Sequence, residues 1–386
     1  MQRRYFDYAA TTPIDKRVLE VMIPQIENNF GNPSSVYSFG REARKSIDES
    51  RDTVARVLNA EPKEIFFTSG GTEADNWAII GTAFANKNKG NHIITTSIEH
   101  HAVLHTCKYL EKHGFEVSYL PVDEYGMVDP EDVRNSIKES TILITVMYAN
   151  NEIGTIQPIK KIGEIAREND VYFHTDAVQA FGSIEIDVKD LNVDMMSISG
   201  HKIYGPKGIG ALYIRKGVKI DNLIHGGGQE RKKRAGTENT PAIVGFAKAC
   251  ELVTENLKES AEKAIELRDY MIKNILENID EVRLNGHPTE RLPGNVNVSI
   301  RYIEGESILL SLDLIGIAAS SGSACTSGAL DPSHVLLAIG LSHEIAHGSL
   351  RFSIGKDTTR EEVDFVLEKL PAIIQRLRDM SPLYNS

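Results

Sequence analysis

An alternation constrains the fold more than any other feature. Short β-rich runs recur at Glu64 to Thr68, His92 to Ser97, Phe115 to Leu120, Ile142 to Tyr148, Val171 to Thr175, Val193 to Ser199 and Ile209 to Ile214. Helical patterns such as His101 to Lys112 and Ile159 to Glu168 lie between several of them. Alternation of this kind predicts an α/β fold with a mainly parallel sheet covered by helices on both faces. Ligands in such sheets sit at the carboxyl ends of strands, so the residues just after each run are the ones to inspect.

The flanks differ from this pattern. A polar arm opens the chain, followed by a helix-like stretch from about Lys16 to Asn28, a break at Gly31-Asn-Pro-Ser-Ser35 and a second amphipathic stretch from about Arg41 to Leu58. Beyond His225-Gly-Gly-Gly228 a long helical region from about Pro241 to Glu277 leads into a second, smaller domain. That domain holds predicted strands at Val282 to Leu284, Asn295 to Ile300 and Gly316 to Ala319, and helices near Gly305 to Leu314 and Thr359 to Arg378. A length of 386 residues agrees with two or three domains.

The net charge of −11 argues against nucleic acid or an acidic membrane as the main partner. The run Arg231-Lys-Lys-Arg234 is the exception, and in a Gly-rich stretch it reads as a solvated loop. Met1 to Tyr8 has no apolar h-region, and no segment approaches the roughly 18 apolar residues of a membrane span. Cys107, Cys250 and Cys325 are too far apart for a CxxC zinc site or a disulfide framework. A reduced, cytoplasmic protein is expected.

The run ends carry chemistry. Ser69-Gly-Gly-Thr-Glu73 follows the first strand and opens a helical run from Ala74 to Ala85, so unpaired N–H groups and the helix dipole form an anion site. Thr72 can add a hydroxyl donor. Another run ends in Ile98-Glu-His-His101, one in Ala149-Asn-Asn-Glu-Ile-Gly154, one in Asp176 with Gln179 beyond it, and one in Ser199-Gly-His-Lys202. Alone, Lys202 reads as a solvated turn lysine and Ser-Gly-Gly-Thr as a simple cap. Together an anion cradle, a carboxylate, an amide, an imidazole and a lysine fit pyridoxal phosphate chemistry, in which the lysine forms a Schiff base and the carboxylate keeps the ring nitrogen protonated.

Competing motifs fail on detail. Gly200 to Gly205 has the glycine spacing of a P-loop, but Pro206-Lys-Gly208 follows where Lys-Ser/Thr is required. His101 and His105 stand four apart on a predicted helix without the glutamate of His-Glu-x-x-His, so no metal is expected. Asp176 has no Gly-x-Gly-x-x-Gly upstream to support a dinucleotide. Cys107 and Cys250 sit in apolar helical patterns and read as core residues. Cys325 lies instead in Ser320-Ser-Gly-Ser-Ala-Cys-Thr-Ser-Gly328, where little is available to pack. A nucleophilic thiol near a lysine-bound aldehyde suggests sulfur transfer, against the plainer reading of a surface loop.

The motifs together strongly resemble the cysteine desulfurases of the class V aminotransferase branch of fold-type I pyridoxal-phosphate enzymes, in the NifS/IscS-like group. The likeness runs through Asp7-Tyr-Ala-Ala-Thr-Thr-Pro13, Gly31 to Ser35, Thr68-Ser-Gly-Gly-Thr-Glu-Ala-Asp-Asn76, Glu99-His100, Asn150 to Gly154, His174-Thr-Asp-Ala-Val-Gln179, Ser199 to Gly208, His225 to Glu230, Arg234 to Thr237, Ser321 to Ser327 and Arg351-Phe-Ser.

The resemblance implies a large domain (14–257) with a seven-stranded sheet, and a smaller α+β domain from 1–13 and 258–386 that carries the cysteine loop. It implies that Lys202 holds pyridoxal 5′-phosphate, that His100 stacks on the ring and helps move protons, that Asp176 pairs with the ring nitrogen and that Gln179 meets the ring hydroxyl. Gly71, Thr72, Ser199 and His201 would bind the phosphate, with Thr237 added from the second subunit of a homodimer. Asn151 and Arg351 would hold the carboxylate of L-cysteine, and Cys325 would accept sulfur as a persulfide. A sulfur-acceptor protein such as an iron–sulfur scaffold would be the partner. The alternatives are a selenocysteine lyase or other class V activity that does not use Cys325, and a non-enzymatic partner-binding scaffold.

Overall fold

The computed structural model describes residues 3–321, 332–382 and 384. Cys325 therefore lies outside the described residues. Strand β1 (Arg4–Tyr5) precedes helices α1 (Lys16–Glu27) and α2 (Ser38–Val57). Strand β2 (Ile65–Thr68) runs into α3 (Gly71–Asn76), which continues through a π-helical turn at Trp77–Gly81 into α4 (Thr82–Ala85). Next come β3 (His92–Thr96), α5 (His101–Glu111), β4 (Glu116–Leu120), α6 (Pro130–Ser136), β5 (Thr141–Thr145), α7 (Ile159–Glu168), β6 (Tyr172–Asp176), β7 (Met195–Ser199) and β8 (Gly210–Ile214).

Seven of these strands form one sheet in the order β2-β8-β7-β6-β5-β3-β4. The β7–β6, β6–β5, β5–β3 and β3–β4 pairs are parallel, whereas β8 runs antiparallel to both β7 and β2. The runs Val193 to Ser199 and Ile209 to Ile214 form β7 and β8, joined by a short link. The link includes a 3-10 turn at Gly200–Lys202, and the returning strand pairs Ser199 with Gly210. Strands β3, β5, β7 and β8 are buried along their whole length. One hydrophobic cluster joins Ile94, Ile144, Phe173, Met196 and Phe246, and a second joins Phe66, Trp77, Ile93, Leu143, Met195 and Leu212. Neighbours along a strand, such as Ile93 and Ile94 or Met195 and Met196, fall into different clusters because successive side chains point to opposite faces.

The chain continues through α8 (Gln229–Lys232), α9 (Thr240–Glu255), α10 (Leu257–Asn278), β9 (Val282–Leu284), β10 (Asn295–Ile300), α11 (Gly305–Asp313), β11 (Ile317–Ala318), α12 (His334–Ala338), α13 (His343–His347), β12 (Ser349–Ser353) and α14 (Arg360–Asp379). An antiparallel three-stranded sheet, β12-β10-β9, anchors this part. A separate core gathers Leu267, Met271, Val296, Val298, Leu350, Phe352, Val363 and Leu370, and Phe6 of the opening arm belongs to it. The arm is fixed there because β1 pairs in parallel with β11.

Two expectations are corrected. The predicted single helical region near Pro241 to Glu277 is two helices, broken where Asn256 leaves the helical conformation (φ −124°, ψ 29°). The reason is packing: α9 buries Ile243 and Phe246 in the sheet core, and α10 buries Met271 and Ile275 in the other. The basic run is only in part a solvated loop, with Arg231 and Lys232 exposed but two of its arginines engaged. The Arg231 guanidinium lies 4.4 Å from the Phe66 ring centroid, and Arg234 makes a two-point ion pair with Glu73 at 2.8 and 3.0 Å. Glu230 just before them is buried on Arg51, at 2.7 and 2.8 Å.

Candidate active site

The anion cradle begins at Gly70, whose φ of +149° suits glycine alone. A Cβ placed on Gly71 would meet Val178 Cγ2 at 2.7 Å and Ser199 Cβ at 3.7 Å, so the loop is drawn tightly against the ends of β6 and β7. Gly210 completes the closeness, since a Cβ there would lie 2.9 Å from Gly70 Cα. Thr72 is exposed on the first helical turn, leaving its hydroxyl open to a ligand. Glu73 points back, accepts the Ser69 N–H at 2.8 Å and holds Arg234. That pair ties the segment containing the exposed Thr237 to the cradle edge, but Thr237 stays outside the buried cluster of this one chain.

Asp176 is the last residue of β6, inside the strand rather than one past it. Burial raises its pKa to about 6, opposed by the Val178 N–H, which donates at 2.9 Å, and by the charge of Lys202. Lys202 ends the 3-10 turn after β7. Its Nζ donates to Ala10 O at 2.9 Å and also to Ala9 O. Gln179 Nε2 donates to the same Ala9 O at 2.8 Å. His201 stands beside Lys202 with Nδ1 3.3 Å from Thr11 Oγ1, and burial lowers its pKa to about 4. The opening arm is therefore one wall of the site.

His100 caps α5. Its Nδ1 accepts the Ala102 N–H at 3.2 Å, so a neutral ring carries its proton on Nε2. Burial, assisted by the charge of Lys202, lowers its pKa to about 4 and keeps it neutral. Arg351 on β12 is 3% exposed. Its Nη1 donates to Asn151 O at 2.8 Å and its Nη2 to Asp7 Oδ1 at 2.9 Å, while Nε is buried without a protein partner. The charge and planar fork of a guanidinium suit a carboxylate. The structure thus brings Gly71, Ser199, Asp176, Gln179, His201 and Lys202 together, and places Asn151 against Arg351. Among the three cysteines, Cys107 and Cys250 are buried as expected.

A family model described as aminotransferase class-V matches residues 4–366. The chain belongs to that family. It is 62% identical over 379 residues to a Methanosarcina thermophila protein named cysteine desulfurase IscS, covering 98% of this chain and 94% of that one. Among solved structures, a "NifS-like protein" superposes with a TM-score of 0.92 at 42% identity, covering 97% of this chain and all of the other (100%). Another, titled "SspA in complex with cysteine", gives a TM-score of 0.82 at 41% identity over 93% of this chain and 100% of that one.

Residue-by-residue reading missed several groups. Asp7 pairs with the arginine from 344 positions away. Asp75 of α3 and His174 of β6 are buried beneath Asp176. Glu99 is buried beside His100 and accepts from Thr96 Oγ1 at 2.6 Å and from the Met147 N–H at 3.0 Å. The one available signal was charge: an acidic or basic residue inside an apolar run needs a partner once buried.

Proposed function

We propose that the chain is a pyridoxal-phosphate-dependent cysteine desulfurase that converts L-cysteine to L-alanine and passes the sulfur on. The observation that carries this reading is the placement of the Lys202 amine in a half-buried turn beside the buried Asp176 carboxylate, with a glycine cradle at the next strand end. These residues suit the cofactor. The close-packed Gly70 and Gly71, the exposed Thr72 hydroxyl and Ser199 form an anion cradle, and Asp176 carries the charge a protonated ring nitrogen needs. Gly71, Thr72, Ser199 and His201 would hold the phosphate, Asp176 and Gln179 the ring edge, and His100 its face. When bound, pyridoxal 5′-phosphate supplies an aldehyde for the substrate amine and a ring that stores the electron pair left at the α-carbon.

The chain's own groups do the rest. The Arg351 guanidinium holds the substrate carboxylate beside Asn151. Lys202 takes the α-proton, and the neutral His100 offers its Nε2 proton to the carbon that the sulfur leaves. Cys325 as thiolate attacks the substrate sulfur. The S–S bond forms as the C–S bond breaks, the electron pair goes to carbon, and alanine and a Cys325 persulfide result.

We divide the chain into a large domain (14–257) and a small one (1–13 with 258–386). The change of core at Asn256 and the membership of Phe6 in the second core support this division. A homodimer is supported by exposed apolar side chains concentrated between Leu19 and Phe39, among them Ile26, Phe30 and Val36 at 60, 73 and 87% exposure. Thr237 is exposed, which leaves it open to a second copy. The sulfur acceptor is an iron–sulfur scaffold or a similar protein, and the cytoplasm is the expected site. No helix among the described residues is long and apolar enough to cross a membrane.

The test is L-cysteine turnover read as both sulfide and alanine. Lys202→Ala loses both products, by about 1,000-fold or more. Cys325→Ser loses protein-bound persulfide and reductant-released sulfide. Undiminished desulfuration in Cys325→Ser would favour a lyase that does not use the thiol.

A further inference from the structure

A second carboxylate lies under the site, and the reaction described above does not use it. Asp75, on the cradle helix α3, is 1% exposed, and one of its oxygens, Oδ1, is buried without a hydrogen-bond partner. That oxygen is 3.7 Å from His174 Nε2. His174 is two residues before Asp176 on β6, so both side chains point to the same face of the sheet. The ring is fully buried between Thr145 Oγ1, 2.9 Å from Nδ1, and Ser197 Oγ, 2.9 Å from Nε2. Ser197 lies opposite Asp176 in the β6–β7 register.

Resting on the cofactor reading, we infer that Asp75 is a positioning residue for Asp176. It retains a proton in the folded protein, so that the negative charge of the pair rests on Asp176, the carboxylate facing Lys202 and the cofactor ring.

Three features decide which carboxylate is neutral. Two carboxylates sharing one dry pocket do not both ionise readily. Asp176 receives a backbone N–H and the field of Lys202. Asp75 has an unpartnered oxygen, which an acid tolerates underground and an anion does not. His174 gives no countercharge, because burial holds it neutral with a pKa of about 3. Of the other groups that face the pair, Ser197 from β7 opposes through a hydrogen bond that favours the Asp75 carboxylate, and Glu99, from the β3–α5 connection, raises the Asp75 pKa to the extent that it is itself ionised. Burial and the charge of Asp176 together raise the Asp75 pKa well above the usual carboxylate range.

The arrangement gives α3 a double duty: its first turn holds the phosphate, and its fifth residue sets the charge on the group that grips the opposite end of the ring. Infrared spectra of the cofactor-free protein, isotope-labelled on aspartate, test this directly. A protonated aspartic acid carbonyl band is expected at pH 7.5, rising to about double as the pH falls through about 6, where Asp176 titrates. Asp75→Asn loses the pH 7.5 band and keeps the step near 6, and its affinity for pyridoxal 5′-phosphate stays within about threefold, since the amide is a neutral isostere. A parent with no band at pH 7.5 overturns the inference, even if Asp75→Asn does not fold. Persistence of that band in a folded Asp75→Asn protein overturns it as well. Failure of the parent to bind pyridoxal 5′-phosphate would instead sink the cofactor reading, because the infrared signal needs no cofactor.

Discussion

Two walls of the site are built in opposite ways. The sheet wall is made of strand ends: Asp176 closing β6, Ser199 and Lys202 following β7, and the cradle after β2. Each of its groups is placed by the strand that precedes it. The arm wall is made of Asp7 to Thr11, Asn151 and Arg351, brought together from the two ends and the middle of the chain. Here each group depends on contacts between remote segments. The first wall places chemistry by local geometry, and the second by long-range pairing, so perturbations should spread further in the second.

Arg351→Gln gives the largest break between the walls. Losing a charge-assisted fork costs about 2–3 kcal/mol, so kcat/KM for L-cysteine falls roughly 100-fold, mostly through KM. Asp7→Asn keeps the shape and a neutral acceptor for Nη2, and its effect on kcat/KM stays below about tenfold. Equal losses in the two variants would mean that Asp7, rather than the substrate, is the main partner of the arginine. Steady-state kinetics with thermal melts on both proteins separates binding from folding.

A pH experiment probes the sheet wall at intermediate size. Burial holds the Glu99 proton up to about 8 in the folded chain, against an ordinary value of 4.5 for the unfolded one. Between those values the native state binds more protons, so its stability falls as pH rises. The buried histidines act oppositely but only below about 6.5, because the unfolded chain protonates them there while the folded chain resists. In the window from about 6.5 to 8 Glu99 therefore contributes to the slope together with Asp75 and Glu152, whose protons burial also holds. Denaturant midpoints of the parent decline across it, and those of Glu99→Gln stay flatter. An identical decline in both proteins would assign the slope to another group.

How much of this was legible in the sequence follows the same division. The alternation of strands and helices and the chemistry at strand ends were readable because a period of two and an apolar run are local signals. The break at Asn256 was not, because both α9 and α10 are helical by pattern and only the change of core separates them. The basic run misled for the same reason: Arg231 and Arg234 find Phe66 and Glu73 across the fold, more than 160 positions away in the case of Arg234 (161). Arg351 was singled out by resemblance, whereas its partner Asp7 carried no local mark.

The smallest effect is at Gly71. Its added methyl in Gly71→Ala presses on Val178 Cγ2, a side-chain atom that can turn aside. A loss of about 1 kcal/mol and a few-fold weaker cofactor retention are expected, read by thermal melting and by dialysis against buffer. A loss as large as that of Arg351→Gln would show that the cradle has no slack and that the sheet wall is the more brittle one.

The arm wall also sets the order in which the protein becomes able to work during synthesis. Asp7 leaves the ribosome early, but its arginine is 344 residues behind it, and the Ser353 hydroxyl that accepts the Ala9 N–H comes later still. The sheet around Lys202 can be finished while the arm has nothing to hold. A nascent chain therefore holds the lysine in place with its arm undocked until Arg351 and Ser353 have emerged, and the arm wall closes only then.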